Sequence, residues 1–374
     1  MNQSFTLDPI LTNDVSSLNA LGWGPFFKNQ LNALCNEDRY LSKTAPARVV
    51  GVRRNAFLVS QGQSPVTATL AGRLRQGEHG QFPVTGDWVL IKDQTITRVL
   101  SRKNMLTRGA SGSRHRQDTG PLKEQAIASN LDYVFILCGL DRDFNLRRIE
   151  RYLTLVYNGG ITPVIILTKT DLHEDPGIFI DQVADVAWGV PVHPISSVNR
   201  SGMDPLSEYL KPGCTIAMLG SSGVGKSTLL NCLAGNQIQE TQGVSERVGK
   251  GKHTTTTRDL ILMSNGGMII DNPGIREIAF WDNDSGTPSA FPEIEHFARS
   301  CRFADCSHTH EPGCGVLGAL NSGELTQDRL DSYHKIQKEL SFMAQRQVKS
   351  ADRIEKERWK DISIRIKSMK QRPK

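Results

Sequence analysis

The sequence predicts an α/β protein that carries a small β-barrel in front of its α/β domain and a short helical, cysteine-bearing domain behind it. Three observations predict this. Between Arg48 and about Arg108 lie five short β-branched or alternating runs separated by turn residues, the pattern of a small barrel. From Leu131 onward, strand-like runs alternate with an amphipathic helical one, the pattern of a parallel sheet. Three of the seven cysteines then crowd into residues 301–314.

A chain of 374 residues with 38% hydrophobic content exceeds one core and calls for two or three domains. No apolar stretch approaches the roughly 20 residues of a membrane span. The N-terminus, with Asp8 and Asp14 and no basic-then-apolar run, does not read as a secretory signal. The expectation is a soluble, cytoplasmic, monomeric protein with no membrane partner. The uneven set of cysteines at 35, 138, 214, 232, 301, 306 and 314 argues against a disulfide framework. The net charge of +6 is local, because residues 341–374 hold eleven Lys/Arg against four Asp/Glu; this tail carries +7 and the remainder about −1. Such a tail is an electrostatic footprint for a polyanion, or else a solvated helix face.

In chain order, residues 1–42 form an N-terminal extension in which Leu18, Leu21, Phe26, Phe27, Leu31 and Leu34 recur at roughly helical intervals. Residues 43–108 form the barrel. Its runs are Val49–Val52, Phe57–Val59, Val66–Leu70, Trp88–Ile91 and Ile96–Leu100, a count that suits an OB-fold. Arg53, Arg54, Arg73 and Arg75 lie on or beside these runs and would suit phosphate contacts. Residues 109–124 are polar and glycine-rich and read as a linker.

The α/β domain is assigned to residues 125–290, with strand-like runs at Leu131–Cys138 and Val164–Leu167 around a helix from about Arg147 to Tyr157. Thr168-Lys169-Thr170-Asp171 follows the second run. A carboxylate there can accept from the N1–H and 2-amino group of guanine, which adenine does not offer, so Asp171 would select GTP over ATP. Ser196 and Ser197 end another extended segment, and their N–H groups can meet the guanine O6. After the run Thr215–Leu219 comes Gly220-Ser221-Ser222-Gly223-Val224-Gly225-Lys226-Ser227-Thr228. This is a phosphate loop: its backbone N–H groups cradle phosphate oxygens, Lys226 supplies a point charge, and the Ser227 hydroxyl sits on Mg²⁺. Downstream, Lys250-Gly251-Lys252-His253 leads into Thr254, Thr255, Thr256 and Thr257, and Met268–Ile270 delivers Asp271-Asn272-Pro273-Gly274. Asp271 can bind the Mg²⁺ water shell, Gly274 can offer its N–H to a γ-phosphate, and one of the threonines can ligate the metal.

The order of these motifs is rotated: base-reading loop, guanine edge, phosphate loop, threonine loop, Asp-x-x-Gly, where a standard GTPase begins with the phosphate loop. On that permuted order, with Gly251-Lys252-His253-Thr254, Arg276 and Glu277 after Gly274, and the cysteine segment, the chain resembles the RsgA (YjeQ) family of ribosome small-subunit-dependent GTPases over about Arg48 to Leu340. The resemblance implies an OB-fold, a circularly permuted P-loop GTPase domain, a zinc domain, and a role in late maturation of the small (30S) ribosomal subunit with contacts to 16S rRNA. Three positions depart from the usual pattern: Thr168 where Asn is more frequent, Asn272 for Thr, and Ser197 for Ala.

The zinc domain is placed at 291–340 and the basic tail at 341–374. Cys301-x₄-Cys306-x-His308-x₅-Cys314 offers three thiolates and an imidazole, enough to close one tetrahedral structural Zn²⁺ site; His310 is the rival imidazole. GTP would then be hydrolysed to GDP by in-line attack of water, with Lys226, Ser227, Asp271 and Gly274 at the phosphates and Mg²⁺. Ile275 follows Gly274 where many GTPases carry a water-orienting glutamine, so the subunit is expected to stimulate turnover; His253 is a candidate polar contributor. The alternatives are a P-loop ATPase or kinase, and an RNA-binding module with a vestigial nucleotide site.

Overall fold

The structure is a computed structural model that describes residues 15–37, 44–72, 74, 82–109, 124–235, 258–271 and 290–348. The chain divides into two compact units, Met1–Leu106 with Ala126–Arg276 and Thr107–Gln125 with Glu277–Lys374.

The first unit opens with helices α1 (Val15–Ala20) and α2 (Pro25–Glu37). Leu18, Leu21, Phe27 and Leu31 are buried, as their helical spacing requires. Strands β1 (Ala45–Val52), β2 (Phe57–Ser60), β3 (Val66–Leu70), β4 (Trp88–Lys92) and β5 (Thr95–Val99) follow. They run in the order β1-β2-β3-β5-β4, and β4 pairs back onto β1, which closes a five-stranded barrel. Val49, Val59, Ala68, Val89 and Ile96 fill it, all fully buried. Closure satisfies every edge strand of a sheet this small.

Two further strands flank the segment read as a linker, one at the end of the barrel span and one at the start of the α/β span. They are β6 (Met105–Gly109) and β7 (Glu124–Ser129), which pair as a separate two-stranded sheet. Then come β8 (Tyr133–Gly139), α3 (Leu146–Asn158), β9 (Thr162–Thr168), α4 (Gly177–Ala184), β10 (Val192–Pro194), β11 (Thr215–Leu219), α5 (Lys226–Ala234), β12 (Arg258–Leu262) and β13 (Met268–Asp271). Asn145 caps α3 by accepting from the Arg148 N–H at 3.0 Å, and Ile149, Leu153 and Val156 bury its inner face. The sheet order is β10-β9-β8-β11-β13-β12, parallel except for the antiparallel β12. Strands β8, β9, β11 and β13 are apolar without alternation because both faces of a parallel sheet are covered. Phe135, Ile166, Ile216, Met218 and Ile269 form their common core, each contributing on the order of 1.5–3 kcal/mol.

Barrel and sheet share a seam. Strand β12 pairs with β1 of the barrel at Gly51↔Asp259 and Val52↔Arg258, making one eleven-stranded sheet. Arg48, 1% exposed, is the hub of this junction. Its guanidinium donates to the carbonyl oxygens of Leu21, Gly86 (3.3 Å) and Asn130 (3.2 Å). Loss of solvent pushes its pKa down to about 10, against the pull of Asp132 and Asp87, so it stays charged at neutral pH. Arg53, one of the arginines that would suit a phosphate contact, is bound to Asp259 across the seam at 2.6 Å. Arg54 is exposed, while Arg73 and Arg75 lie outside the described residues.

The second unit contains α6 (Pro292–Ala298), α7 (Gly315–Ser322) and α8 (Gln327–Val348). A buried ion pair ties α8 to α6, with Arg329 Nε donating to Glu293 Oε1 at 2.5 Å, and the guanidinium stacks over Phe291. Of the basic tail, only its first turns, to Val348, fall within the described residues. Among the described residues, no helix is long and apolar enough to cross a membrane.

Candidate functional site

The nucleotide-binding candidates stand at the carboxyl ends of adjacent parallel strands, the position where open α/β sheets bind ligands. Thr168 ends β9, Ser196 and Ser197 follow β10, the phosphate loop follows β11, and Asp271 ends β13. Strand β11 pairs with β8 on one side and β13 on the other, so the phosphate loop has Asp271 on the neighbouring strand. His253, Thr254, Thr255 and Gly274 lie outside the described residues.

In the phosphate loop, Gly225 has φ 105° and caps the start of α5, a conformation that glycine adopts without the Cβ penalty. A Cβ on Gly220 would stand 2.8 Å from the Leu137 carbonyl oxygen and 2.9 Å from Val224 Cγ1. Lys226 Nζ donates to the carbonyl oxygens of Gly220 and Ser221 at 2.7 and 2.5 Å, which keeps the ammonium against the loop. Ser227 and Thr228 lie in the first turn of α5, where the N–H groups and helix dipole favour anions.

Cross-links join this loop to the base-reading segment. The Thr168 hydroxyl, 2% exposed, donates to the Val224 carbonyl at 2.7 Å. The residue that departs from the more frequent Asn therefore tethers the two loops with its own side chain. Lys169, at φ 61°, donates to Asp141 Oδ2 at 2.6 Å. Burial works to raise the Asp141 carboxyl, but the Lys169 hydrogen bond and charge, with the Asp143 N–H, outweigh it and hold the group below the usual carboxylate range. Asp143 in turn accepts from the Ser221 hydroxyl and from Arg148 Nη2, the latter at 2.7 Å. Thus the loop after β8 bridges the phosphate loop and the base-reading loop. Asp141 and Asp143 escaped the sequence reading. Their one signal was position, two carboxylates just past the carboxyl end of a buried strand.

Asp171 sits in a short 3₁₀ turn, Thr170–Leu172, and its Oδ1 accepts from the Ser196 hydroxyl at 2.5 Å. A carboxylate has about four acceptor sites, so this contact orients Asp171 and leaves capacity for a base. The Thr170 N–H donates to the Ile195 carbonyl at 3.2 Å, and Cys232 Sγ of α5 lies 3.4 Å from the Ser197 carbonyl oxygen. Base-reading loop, guanine edge and phosphate helix are therefore mutually bonded.

In the second unit, Cys301, Cys306, His308 and Cys314 bring one donor atom each to within 4.8 Å of one another. Cys301 Sγ lies 3.8 Å from Cys314 Sγ and 3.6 Å from His308 Nδ1, which is 3.4 Å from Cys314 Sγ. A tetrahedron with Zn–S bonds of about 2.3 Å and a Zn–N bond of about 2.0 Å has S···S edges of about 3.8 Å and S···N edges of about 3.5 Å, so the donor set fits zinc in size and softness. His310, the rival imidazole, is exposed and bonded to Thr309 Oγ1 at 2.8 Å, outside the cluster. Burial lowers the His308 pKa, against Glu311, which favours the neutral imidazole that a metal requires. Glu311 accepts from the N–H groups of Ser307 (3.0 Å), Thr309 (3.0 Å) and His310 (3.2 Å). It holds the loop that carries His308, and no pattern in the sequence marked that role.

A phosphate loop that follows its base-reading loop in the chain, on a parallel sheet fed by a five-stranded barrel, defines a circularly permuted P-loop GTPase with an OB-type domain. The family model for RsgA GTPase matches residues 99–281. The "Small ribosomal subunit biogenesis GTPase RsgA" of Methanosarcina acetivorans is 44% identical over 308 residues, covering 81% of each chain. Its Listeria monocytogenes counterpart, RsgA 2, is 38% identical over 96% of this chain and 99% of its own. Among solved structures, YjeQ from Thermotoga maritima aligns with TM-score 0.59 and 27% identity, over 79% of this chain and 98% of its own. YloQ, described as a circularly permuted GTPase, shares the fold at TM-score 0.52 and 24% identity, over 81% of this chain and 94% of its own. The chain belongs to the RsgA GTPase family, and it is a GTP-hydrolysing enzyme.

Proposed function

We propose that this protein hydrolyses GTP in the cytoplasm during late maturation of the small ribosomal subunit, with the subunit as both binding partner and activator. Lys226 and the loop N–H groups from Gly220 to Thr228 hold the phosphates, and Ser227 and Asp271 hold Mg²⁺ directly and through its water shell. One of Thr254, Thr255, Thr256 and Thr257 would ligate the metal, Gly274 offers its N–H to the γ-phosphate, and His253 adds a polar group. Asp171 reads the guanine N1–H and 2-amino group, while the Ser196 and Ser197 N–H groups meet O6. Mg²⁺, when bound, neutralises charge developing on the β- and γ-oxygens.

The observation that carries this reading is the set of bonds joining the four loops after β8, β9, β10 and β11, namely Thr168 to Val224, Asp143 to Ser221, and Ser196 to Asp171. They fix base-reading and phosphate-binding groups in one frame, and phosphoryl transfer depends almost wholly on such positioning. Cys301, Cys306, His308 and Cys314 would hold one structural zinc ion, four protein ligands leaving no open coordination position. Contacts to 16S rRNA are assigned to the barrel, the zinc segment and the basic tail. Support for the subunit comes from the names of the Methanosarcina and Listeria relatives, and from Ile275, which supplies no polar group to orient water.

The test is GTP turnover by the full chain with and without purified small subunits. Turnover is expected to rise by about 10³–10⁵-fold with subunits, the scale on which parts supplied in trans act, and ATP should not compete. Turnover indifferent to subunits, or equal inhibition by ATP, defeats the proposal.

A further inference from the structure

The seam between barrel and sheet is closed by a side-chain clamp as well as by strand pairing. Arg53, the residue after β1, donates from Nη1 and Nη2 to Oδ1 and Oδ2 of Asp259 at 2.6 and 3.0 Å. This is the bidentate fork geometry that only arginine provides. The fit is close, since a Cβ on Gly51 would stand 2.6 Å from Asp259 Oδ1. On its other side β12 pairs with β13, and Asp259 is the direct register partner of Asp271. One residue of β12 is thereby bonded to the barrel through its side chain and aligned with the buried Asp271 through its backbone. Strand β12 is laddered to β13 from Asp259 to Leu262, so a slip of β12 at Asp259 is passed across that ladder to Asp271.

We propose that Arg53 is a positioning residue for GTP hydrolysis: by clamping Asp259 it fixes β12 and, through the Asp259–Asp271 register, sets Asp271 for the magnesium ion. This rests on the reading of Asp271 as a group in the Mg²⁺ water shell. The clamp acts without touching nucleotide. Both partners are 35% exposed, so removing it leaves no buried charge, and solvent screening limits its contribution to the fold. A misplacement of about 1 Å caused by a change far from the chemistry nevertheless costs as much as about 10²-fold in rate.

The experiment measures steady-state GTP turnover of the full chain against Mg²⁺ concentration, with GDP affinity measured separately in the absence of Mg²⁺. The variants are Arg53→Gln, Asp259→Asn and the swap Arg53→Asp with Asp259→Arg. Each single variant is expected to lower kcat about three- to tenfold and to raise the Mg²⁺ midpoint by a similar factor, with Mg²⁺-free GDP affinity within about twofold of the parent. The swap is expected to recover at least half of the lost rate. A merely structural pair would change thermal stability and leave the Mg²⁺ midpoint where it was. An unmoved midpoint in folded Arg53→Gln overturns the proposal, as does a swap no better than either single variant. Asp259→Asn, which removes the charge at constant volume, gives the same reading should Arg53→Gln fail to accumulate. Asp271→Asn runs alongside. If it keeps the parent midpoint, the reading of Asp271 has failed and the clamp falls with it; if it shifts and the clamp variants do not, the clamp alone has failed.

Discussion

The cysteine–histidine cluster draws its donors from residues 13 positions apart at most, Cys301 to Cys314, whereas the bonds that frame the nucleotide site span 56 positions from Thr168 to Val224 and 78 from Asp143 to Ser221. The difference lies in what holds each site together. A short loop carries little apolar surface, so its geometry depends on whatever its donors bind. The nucleotide loops hang on strands whose cores are fully buried, such as Ile216, Ile166 and Phe135, and those strands stay in place whether or not a ligand is present. With zinc as the occupant proposed above, the first site is expected to be a fold made by its ligand, and the second a site made by its fold.

The sharpest way to break this contrast is to remove the metal. Chelation, or Cys306→Ser, should take zinc from one ion per chain to none and forfeit binding free energy on the order of 10–16 kcal/mol. Hydrogen exchange should then accelerate across residues 295–340 and remain unchanged in barrel strands β1 to β5. Metal-free wild-type protein, or equal loss of protection in both regions, would remove the contrast.

The next effect is chemical. Lys226→Ala should cut subunit-stimulated turnover by about 10²–10³-fold, with the thermal midpoint of the first unit almost unmoved, since the strands rather than the loop carry that stability. Near-normal turnover would take the loop out of the mechanism. Asp171→Asn should weaken GTP about tenfold or more, the scale of a hydrogen bond to a charged group, and relax rejection of xanthosine triphosphate, whose ring offers an oxygen where guanine has an amino group. Unchanged GTP affinity with no gain for the xanthine nucleotide would show that Asp171 does not read the base.

The smallest effect sharpens the comparison most. Thr168→Val removes the hydroxyl that tethers the base-reading loop to the Val224 carbonyl while keeping the side chain's shape. A loss of about 1 kcal/mol, roughly fivefold in GTP affinity, is expected, and Thr168→Ser should recover it. Titration of nucleotide binding decides this, and equal affinities for the Val and Ser variants would leave the tether without a role.

How much of this was legible beforehand follows from the same contrast. The five barrel runs, the phosphate loop and the Cys-x₄-Cys-x-His-x₅-Cys spacing are local patterns in which backbone period or ligand spacing is written in neighbouring residues, and the barrel and the cluster took the form those patterns predicted. The permuted order was equally plain, because it is the sequence order itself. Only the tertiary structure could pair Arg53 with Asp259, bury Arg48 as the hub of three carbonyls, and bring Asp141 and Asp143 between the two nucleotide loops. Each of these depends on which side chains meet after distant strands pair. Spacing along the chain carries no trace of such encounters, because a charged residue's sequence neighbours do not reveal which opposite charge or carbonyl the fold will bring to it.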